Sequence, residues 1–336
     1  MELFELTRKL IGIESITPNE GEVGEFLFTH LSALAVRHNG RVEKMPVEPG
    51  RFNVFAHWGE PVVTFSTHMD TVPPYVPARE DADRIWGRGA CDAKGIIACM
   101  TQAAQELLES GARNFGLLFV VGEEKNSAGA LAAARNPRGS RYLINGEPSD
   151  NRLALGSKGA LRYELTATGK MAHSAYPELG ESAIDKLLEA LRRLRATPLP
   201  RGPILGPATL NIGTIAGGRA PNVIADEASA EIMYRLISDA EPMREWVARA
   251  TEGLVASREV LCLPAARLGA LEGFETTVVA YTTDVPAFGG AWGEPYLIGP
   301  GSIHVAHTLE EHVTKAQLLE AVQIYQRMAR KLLASG

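Results

Sequence analysis

Apolar side chains at Leu3, Leu6, Leu10 and Ile11 fall on one helical face. After Thr17-Pro18-Asn19-Glu20 a second stripe begins, with Val23, Phe26, Leu27, Leu31 and Leu34. Two opening helices are predicted. Residues 61–72, PVVTFSTHMDTV, form a short apolar and β-branched run that ends in polar residues. That pattern predicts a buried strand whose C-terminal end carries chemistry. Residues 91–110 are rich in Ala, Met, Gln, Glu and Leu and read as a helix closed by Gly111. FGLLFVVGEE (115–124) and RYLINGEP (141–148) repeat the pattern of an apolar strand ending in acidic residues. Strands alternating with helices predict an α/β domain with a largely parallel sheet, its ligand site beyond the carboxyl ends of the strands.

The pattern changes after Asp150. GALRYELTATG (159–169) alternates as a half-buried strand, and 181–196 is an amphipathic helix. Residues 209–218 and 227–237 alternate again, 241–257 is helical, and 258–263 is a last strand. The order β-α-β-β-α-β is that of a ferredoxin-like, split βαβ unit. The α/β pattern resumes near Ala266 and runs through PYLIGPG (295–301) to a C-terminal helix. We therefore expect a discontinuous catalytic domain, residues 1–156 and 267–336, interrupted by an inserted domain over 157–266.

With 45% hydrophobic and 22% charged residues, the chain can bury a core, and its 336 residues suit about two domains. The balance of 34 Lys+Arg against 40 Asp+Glu gives a net charge of −6 and no basic footprint, so no nucleic-acid partner is expected. Cys91, Cys99 and Cys262 make no Cys-x-x-Cys pair, which suits a reducing cytoplasm. The N-terminus lacks the apolar core of a signal peptide, and no run approaches the ~18 apolar residues that would span a membrane.

The candidate chemistry lies at the predicted strand ends: His68 and Asp70 in THMD, Asp92 in GACDAKG, Glu123 and Glu124 in VGEEKNS, and Glu147 in NGEPSD. Carboxylates gathered in one crevice repel one another and lose hydration, a cost that a cation offsets. With histidine among the ligands Zn²⁺ fits best, and Mn²⁺ or Co²⁺ would accept the same donors. His68 and Asp70, two apart on a strand, leave the same face, so one can orient the other. Glu123 and Glu124 are adjacent and cannot point alike; one would ligate while the other acts as general base. Two ions roughly 3.5–4 Å apart need a shared carboxylate, for which Asp92 is the natural bridge.

THMDTVPP, GRGACDAKG, GEE, NGEPSD and the late GPGSIHVAHTLEEHV occur in this order along the chain. Together they resemble the superfamily of zinc aminoacylases, acetylornithine deacetylases and succinyl-diaminopimelate desuccinylases. The resemblance spans nearly the whole chain, including the inserted domain. It implies that His68 ligates one metal and Asp70 orients it, that Asp92 bridges, that Glu123 is the general base, that Glu124 ligates the second metal and that Glu147 ligates the first. The last ligand is a histidine of AHTLEEHV. The family places it just ahead of a short turn and a Glu that begins a helix, which selects His307 over His304 and His312. His30, His38 and His57 lie away from the acidic blocks and are expected to be structural or solvated.

In the inserted domain, GKMAHSAYPELGESAI (169–184) matches the family segment in which a histidine, here His173, reaches across a dimer interface to stabilise the oxyanion. Asn222 and Arg235 match substrate-holding positions, and Gly301 would offer backbone N–H groups to a substrate carboxylate. The resemblance thus implies a cytoplasmic homodimer, a two-metal hydrolase acting on a small N-acyl amino acid. Nearest in motif are acetylornithine and acetylcitrulline deacetylases of arginine biosynthesis. Desuccinylation of succinyl-diaminopimelate, release of lysine or ornithine from a carrier protein, and dipeptidase activity are alternatives. A catalytically silent ligand-binding homologue is the alternative of another class, disfavoured because the five ligands, Asp70 and Glu123 are all present.

Overall fold

Val63–His68 and Phe115–Val120 are strands buried at every position, and they pair side by side in parallel. Tyr142–Asn145 adds to the other side of Val63–His68, and Glu294–Leu297 adds next to that, again in parallel. These four strands are the centre of a larger sheet in a computed structural model that describes residues 1–335. Helices Leu3–Ile11, Gly21–His38, Lys94–Glu109 and Lys315–Ala334 pack on one face through Leu6, Leu10, Leu27, Ile97, Leu107 and Tyr325. The short helices Ala128–Ala134 and Val285–Phe288 cover the other face with Trp292, Phe288, Phe55 and Leu118. Covered on both sides, the central strands read as unbroken apolar runs rather than alternating ones.

The sheet is mixed, which corrects the expectation of a largely parallel one. Arg41–Glu48 and Arg51–Trp58 form an antiparallel hairpin closed by Pro49 and Gly50, and this hairpin runs antiparallel to Phe115–Val120. Gly50 has φ +77°, the left-handed conformation that so short a connection between strands requires. At the far side Leu153–Ser157 pairs antiparallel to Glu294–Leu297. The parallel pairs join the four central strands.

By packing, the chain divides into two units. One comprises Met1–Leu155, Leu268–Thr277 and Thr283 onward; the other comprises Gly156–Arg267 and Val278–Thr282. The last segment belongs to the second unit because Val279 O accepts from Lys158 N and Tyr281 O accepts from Ser157 Oγ. The second unit has a four-stranded antiparallel sheet in the order Thr209–Gly217, Glu227–Leu236, Gly159–Thr168, Ala256–Leu263. Helices Ala183–Ala196 and Glu241–Thr251 bury Leu187, Leu191, Leu194, Met243 and Val247 against it. Its connectivity and strand order are those of a ferredoxin-like fold. Thr209–Gly217 is an edge strand, mostly exposed.

The expected helix 241–257 stops at Thr251, and Gly253 (φ +71°) turns the chain into the next strand. The late block also differs from expectation. Glu311 does not begin a helix: His312–Thr314 forms a short strand against Arg84–Trp86, and only then does the C-terminal helix start, with Thr314 and Gln317 as a capping box. Among the described residues no helix is long and apolar enough to cross a membrane, and all three cysteines are free.

Candidate metal centre

The carboxyl ends of the parallel strands gather the acidic blocks. His68 is the last residue of its strand and lies in register with Val120, after which Val121 and Gly122 lead to Glu123 and Glu124. Tyr142–Asn145 delivers Glu147, and the loop after Glu294–Leu297 delivers His307. Asp92 comes from the turn ahead of Lys94–Glu109; its side chain makes no capping bond to that helix. It is spent instead on two histidines. His68 Nε2 lies 2.9 Å from Asp92 Oδ1, and His307 Nε2 lies 3.2 Å from Asp92 Oδ2 and 3.1 Å from Glu124 Oε1. His68, Asp92 and Glu124 each offer a ligand atom within 4.8 Å of the others.

Asp70 is fully buried and holds this arrangement from below. Its Oδ1 accepts from the N–H groups of Gly122 (3.0 Å) and Glu123 (3.1 Å), and its Oδ2 accepts from Glu124 N–H (3.2 Å) and the Thr17 hydroxyl (2.6 Å). The closer contact of His68 Nδ1 is to the backbone carbonyl of Asp70, at 3.0 Å; the carboxylate stands 3.5 Å away. Gly122 has φ +80°, so the glycine lets the Glu-Glu turn fold back over Asp70. His307 is also left-handed (φ 65°), an uncommon conformation for a side chain of its size.

The charges in the crevice are strongly perturbed. Burial disfavours a charged His68 ring, yet Asp70 and Asp92 hold its pKa well above the ordinary value. Asp92 and Glu124 raise His307 to about 10. Desolvation opposes ionisation of Asp92 and Asp70, but their histidine partners outweigh it and both carboxyls titrate below their usual range. Glu123 and Glu147 are pushed the other way, by desolvation first and then by neighbouring carboxylates for Glu123; His68 partly offsets the shift in each. In this constellation protons on imidazole and carboxyl groups supply the positive charge that the acidic cluster needs. Divalent cations would supply it better, and their binding must displace those protons. The donor set fits: one Asp92 oxygen faces His68 and the other faces His307, whose Nε2 also meets Glu124, so that the carboxylate could be shared by two ions.

Three acidic or basic groups with no assigned part in the sequence reading also meet the site. Asp284 is 2% exposed, and neither oxygen has a hydrogen-bond partner of good geometry. Burial pushes it up to about 7; the Ser127 hydroxyl and His68 pull it down, and Asp70 and Glu124 add to the rise. In the sequence it stands before Val-Pro at a short helix start, where an Asp reads as a cap. Glu311 and Arg88 form a buried ion pair beneath Asp92. The adjacent Glu310 is exposed, and nothing in the doublet marks which one turns inward. Gly301 (φ +84°) packs on the same turn: a Cβ there would lie 2.4 Å from Cys91 Cβ. Lys94 is buried with its ammonium on the Ile13 carbonyl. His304 is exposed, as expected of a loop histidine, while His30, His38 and His57 are half-buried at positions away from these groups.

The remaining candidates belong to the second unit. His173 Nδ1 accepts from Ala175 N–H at 3.1 Å, which leaves Nε2 as the protonated nitrogen of the neutral ring. A bridge between His173 and Val223, together with the Ser174 N–H on the Asn222 carbonyl (3.0 Å), sets the His173 and Asn222 segments side by side. The guanidinium of Arg235, half-buried on Glu227–Leu236, makes no hydrogen bond or ion pair to any described residue.

The chain is similar to several known proteins. It is 39% identical to a peptidase M20 domain-containing protein of Schizosaccharomyces pombe, over 97% of this chain and 84% of the relative. It is 40% identical to a probable carboxypeptidase of Aspergillus terreus, over 96% of this chain and 84% of the relative. The crystal structure of the aminopeptidase PepT from Bacillus cereus has the same fold, with a TM-score of 0.82 and 20% identity over 98% of each chain. Residues 64–331 match the model of peptidase family M20/M25/M40 and contain every ligand candidate in the crevice; this chain therefore belongs to that family and is a hydrolase of amide bonds.

Proposed function

We propose that the protein is a two-metal exohydrolase that cleaves the amide joining an acyl group to an amino acid with a free α-carboxylate. The observation that carries this reading is the position of Asp92, one oxygen toward His68 and the other toward His307, whose Nε2 also meets Glu124, with Glu123 in the same crevice. His68, Glu147 and Asp92 would hold one ion, and Asp92, Glu124 and His307 the other. When bound, two ions of Zn²⁺, or of the Co²⁺ or Mn²⁺ that the same donors accept, supply the Lewis acidity that activates water near neutral pH and polarises a carbonyl.

The protein's own groups do the rest. Glu123 takes the proton of the attacking water and returns it to the departing amine. Burial, reinforced by the Glu147 carboxylate, favours its protonated form, which makes it a readier acceptor of that proton than an exposed carboxylate. His173 presents Nε2–H as a donor for the tetrahedral oxyanion, by contribution to the active site of a partner subunit in a homodimer. Arg235, free of other partners, suits the two oxygens of the substrate carboxylate; Asn222 and the Gly301 backbone complete its binding. The reaction would take place in the cytoplasm.

Two substrate classes share this chemistry. N-acetylornithine or N-acetylcitrulline, in arginine biosynthesis, is one, supported by the motifs GPGSI and AHTLEEHV. The other is the C-terminal residue of a short peptide, favoured by the description of a 40% identical relative as a probable carboxypeptidase. kcat/KM measured after metal reconstitution on N-acetylornithine, N-acetylcitrulline, N-succinyl-diaminopimelate and a set of dipeptides separates them. The deacetylase reading predicts at least tenfold preference for an acetylated amino acid. Turnover of dipeptides alone would reassign the enzyme as a carboxypeptidase, and a metal-loaded protein inert on all of them would overturn the hydrolytic role of this site.

A further inference from the structure

The turn that carries Asp92 is held by a charge pair that none of the chemistry above uses. Glu311 and Arg88 are each 1% exposed. Glu311 Oε2 accepts from Arg88 Nη1, while Oε1 accepts from the backbone N–H groups of Cys91 (3.3 Å) and Asp92 (3.2 Å). Arg88 is fixed in turn: its Nε donates to the Pro74 carbonyl at 3.2 Å and its backbone N–H to Val76 O at 2.9 Å. The Glu311 carbonyl accepts from Gly87 N–H at 3.0 Å, and the next three residues pair with Arg84–Trp86. His307 lies four residues before Glu311 on the same loop and reaches the far oxygen of Asp92.

Stability alone gives little reason for such a pair, because a buried ion pair replaced by apolar groups of similar volume is often neutral or favourable. What it provides is position. A carboxylate is acceptor-only, so one oxygen can satisfy two backbone N–H groups while the other meets a guanidinium. An amide in its place would turn an NH₂ toward one set of donors or the other. We propose that Glu311, locked by Arg88, is a positioning residue that sets the Asp92 carboxylate between the two ion sites and couples it to the loop bearing His307. This rests on the two-ion reading of the site given above.

The test is metal binding. Metal-free wild type, Glu311→Gln, Arg88→Lys and the exposed neighbour Glu310→Gln are titrated with Zn²⁺ against a chromophoric chelator, and the Co²⁺-loaded proteins are compared by their visible spectra. Glu311→Gln is expected to weaken ion binding by about 10- to 100-fold, the usual scale for losing a group that supports a ligand, and to alter the Co²⁺ spectrum. Arg88→Lys, which keeps the charge and loses the fork, should fall between it and wild type, and Glu310→Gln should match wild type within twofold. Should Glu311→Gln not fold without metal, Arg88→Lys decides the matter. Wild-type affinities and an unchanged spectrum in a variant with only a lowered Tm would reduce the pair to a fold-stabilising contact and overturn the proposal. Fewer than two ions on the wild type would instead overturn the underlying reading of the site.

Discussion

Asp70 accepts four hydrogen bonds on one carboxylate and so ties the strand end at His68 to the turn that carries Glu123 and Glu124. Because Glu123 receives its support through its backbone, its side chain can be altered without loosening the ligands. Glu123→Ala should therefore lower kcat by at least ~10², the lower scale of a general base, with the metal content of the purified protein near that of wild type. Substantial remaining turnover would assign the base elsewhere. Asp284 makes a prediction about pH. Its carboxyl titrates near 7 in the fold against 3.8 when unfolded, so the folded state holds the extra proton between those values. Its contribution is therefore favourable at low pH and is lost as pH rises through about 7. Chemical denaturation of the metal-free protein should show Asp284→Asn gaining on wild type between pH 5 and pH 8, on the order of 1 kcal/mol or more. An equal difference at both pH values would show that Asp284 is ionised throughout.

At the scale of elements, the turns that hold ligands approach one another too closely for ordinary side chains. Gly301 lies against Cys91, next to Asp92, in a left-handed conformation. Gly301→Ala adds both a clash and a strained φ, and is expected to cost roughly 1–3 kcal/mol and to reduce metal occupancy. Thermal melts with and without Zn²⁺, paired with metal analysis, would check this; an unchanged Tm would mean that the two turns can part freely. These elements also differ in how far they could be read in advance. Val63–His68 and Phe115–Val120 were legible because burial on both faces leaves an unbroken apolar run ending in ionisable residues. The hairpin Arg41–Trp58 was not: its outer strand buries a single position, Met45, and its Arg, Glu and Lys residues obscure any period. Its antiparallel pairing is what makes the sheet mixed. The residues gathered in the crevice were legible as motifs, whereas Arg88, Asp284 and Glu311 were not, since their part lies in burial without solvent, a property of tertiary packing.

For the whole molecule, the residues given chemical and recognition roles in the proposed function fall in two different units. The metal-centre residues and Gly301 lie in the first, and His173, Asn222 and Arg235 lie in the second. If a homodimer supplies His173 in trans, His173→Ala should lower kcat by about 10² or more, the scale of losing an oxyanion donor. A mixture of His173→Ala and Glu123→Ala subunits should then regain part of the activity, because some sites in the hybrid have both groups. Absence of recovery despite demonstrated subunit exchange would place His173 in its own subunit's chemistry. The central sheet carries a further consequence. Glu294–Leu297, among the last strands in the chain, is inserted between Tyr142–Asn145 and Leu153–Ser157 rather than added at a margin. During synthesis the ribosome must deliver everything from Leu153–Ser157 through Glu294–Leu297 before that interior gap can close, and His307 emerges later still. A nascent chain therefore passes through an interval with a vacant slot in its sheet, when unpaired strand edges are open to wrong pairing, and the full set of candidate metal donors exists only once His307 has been made.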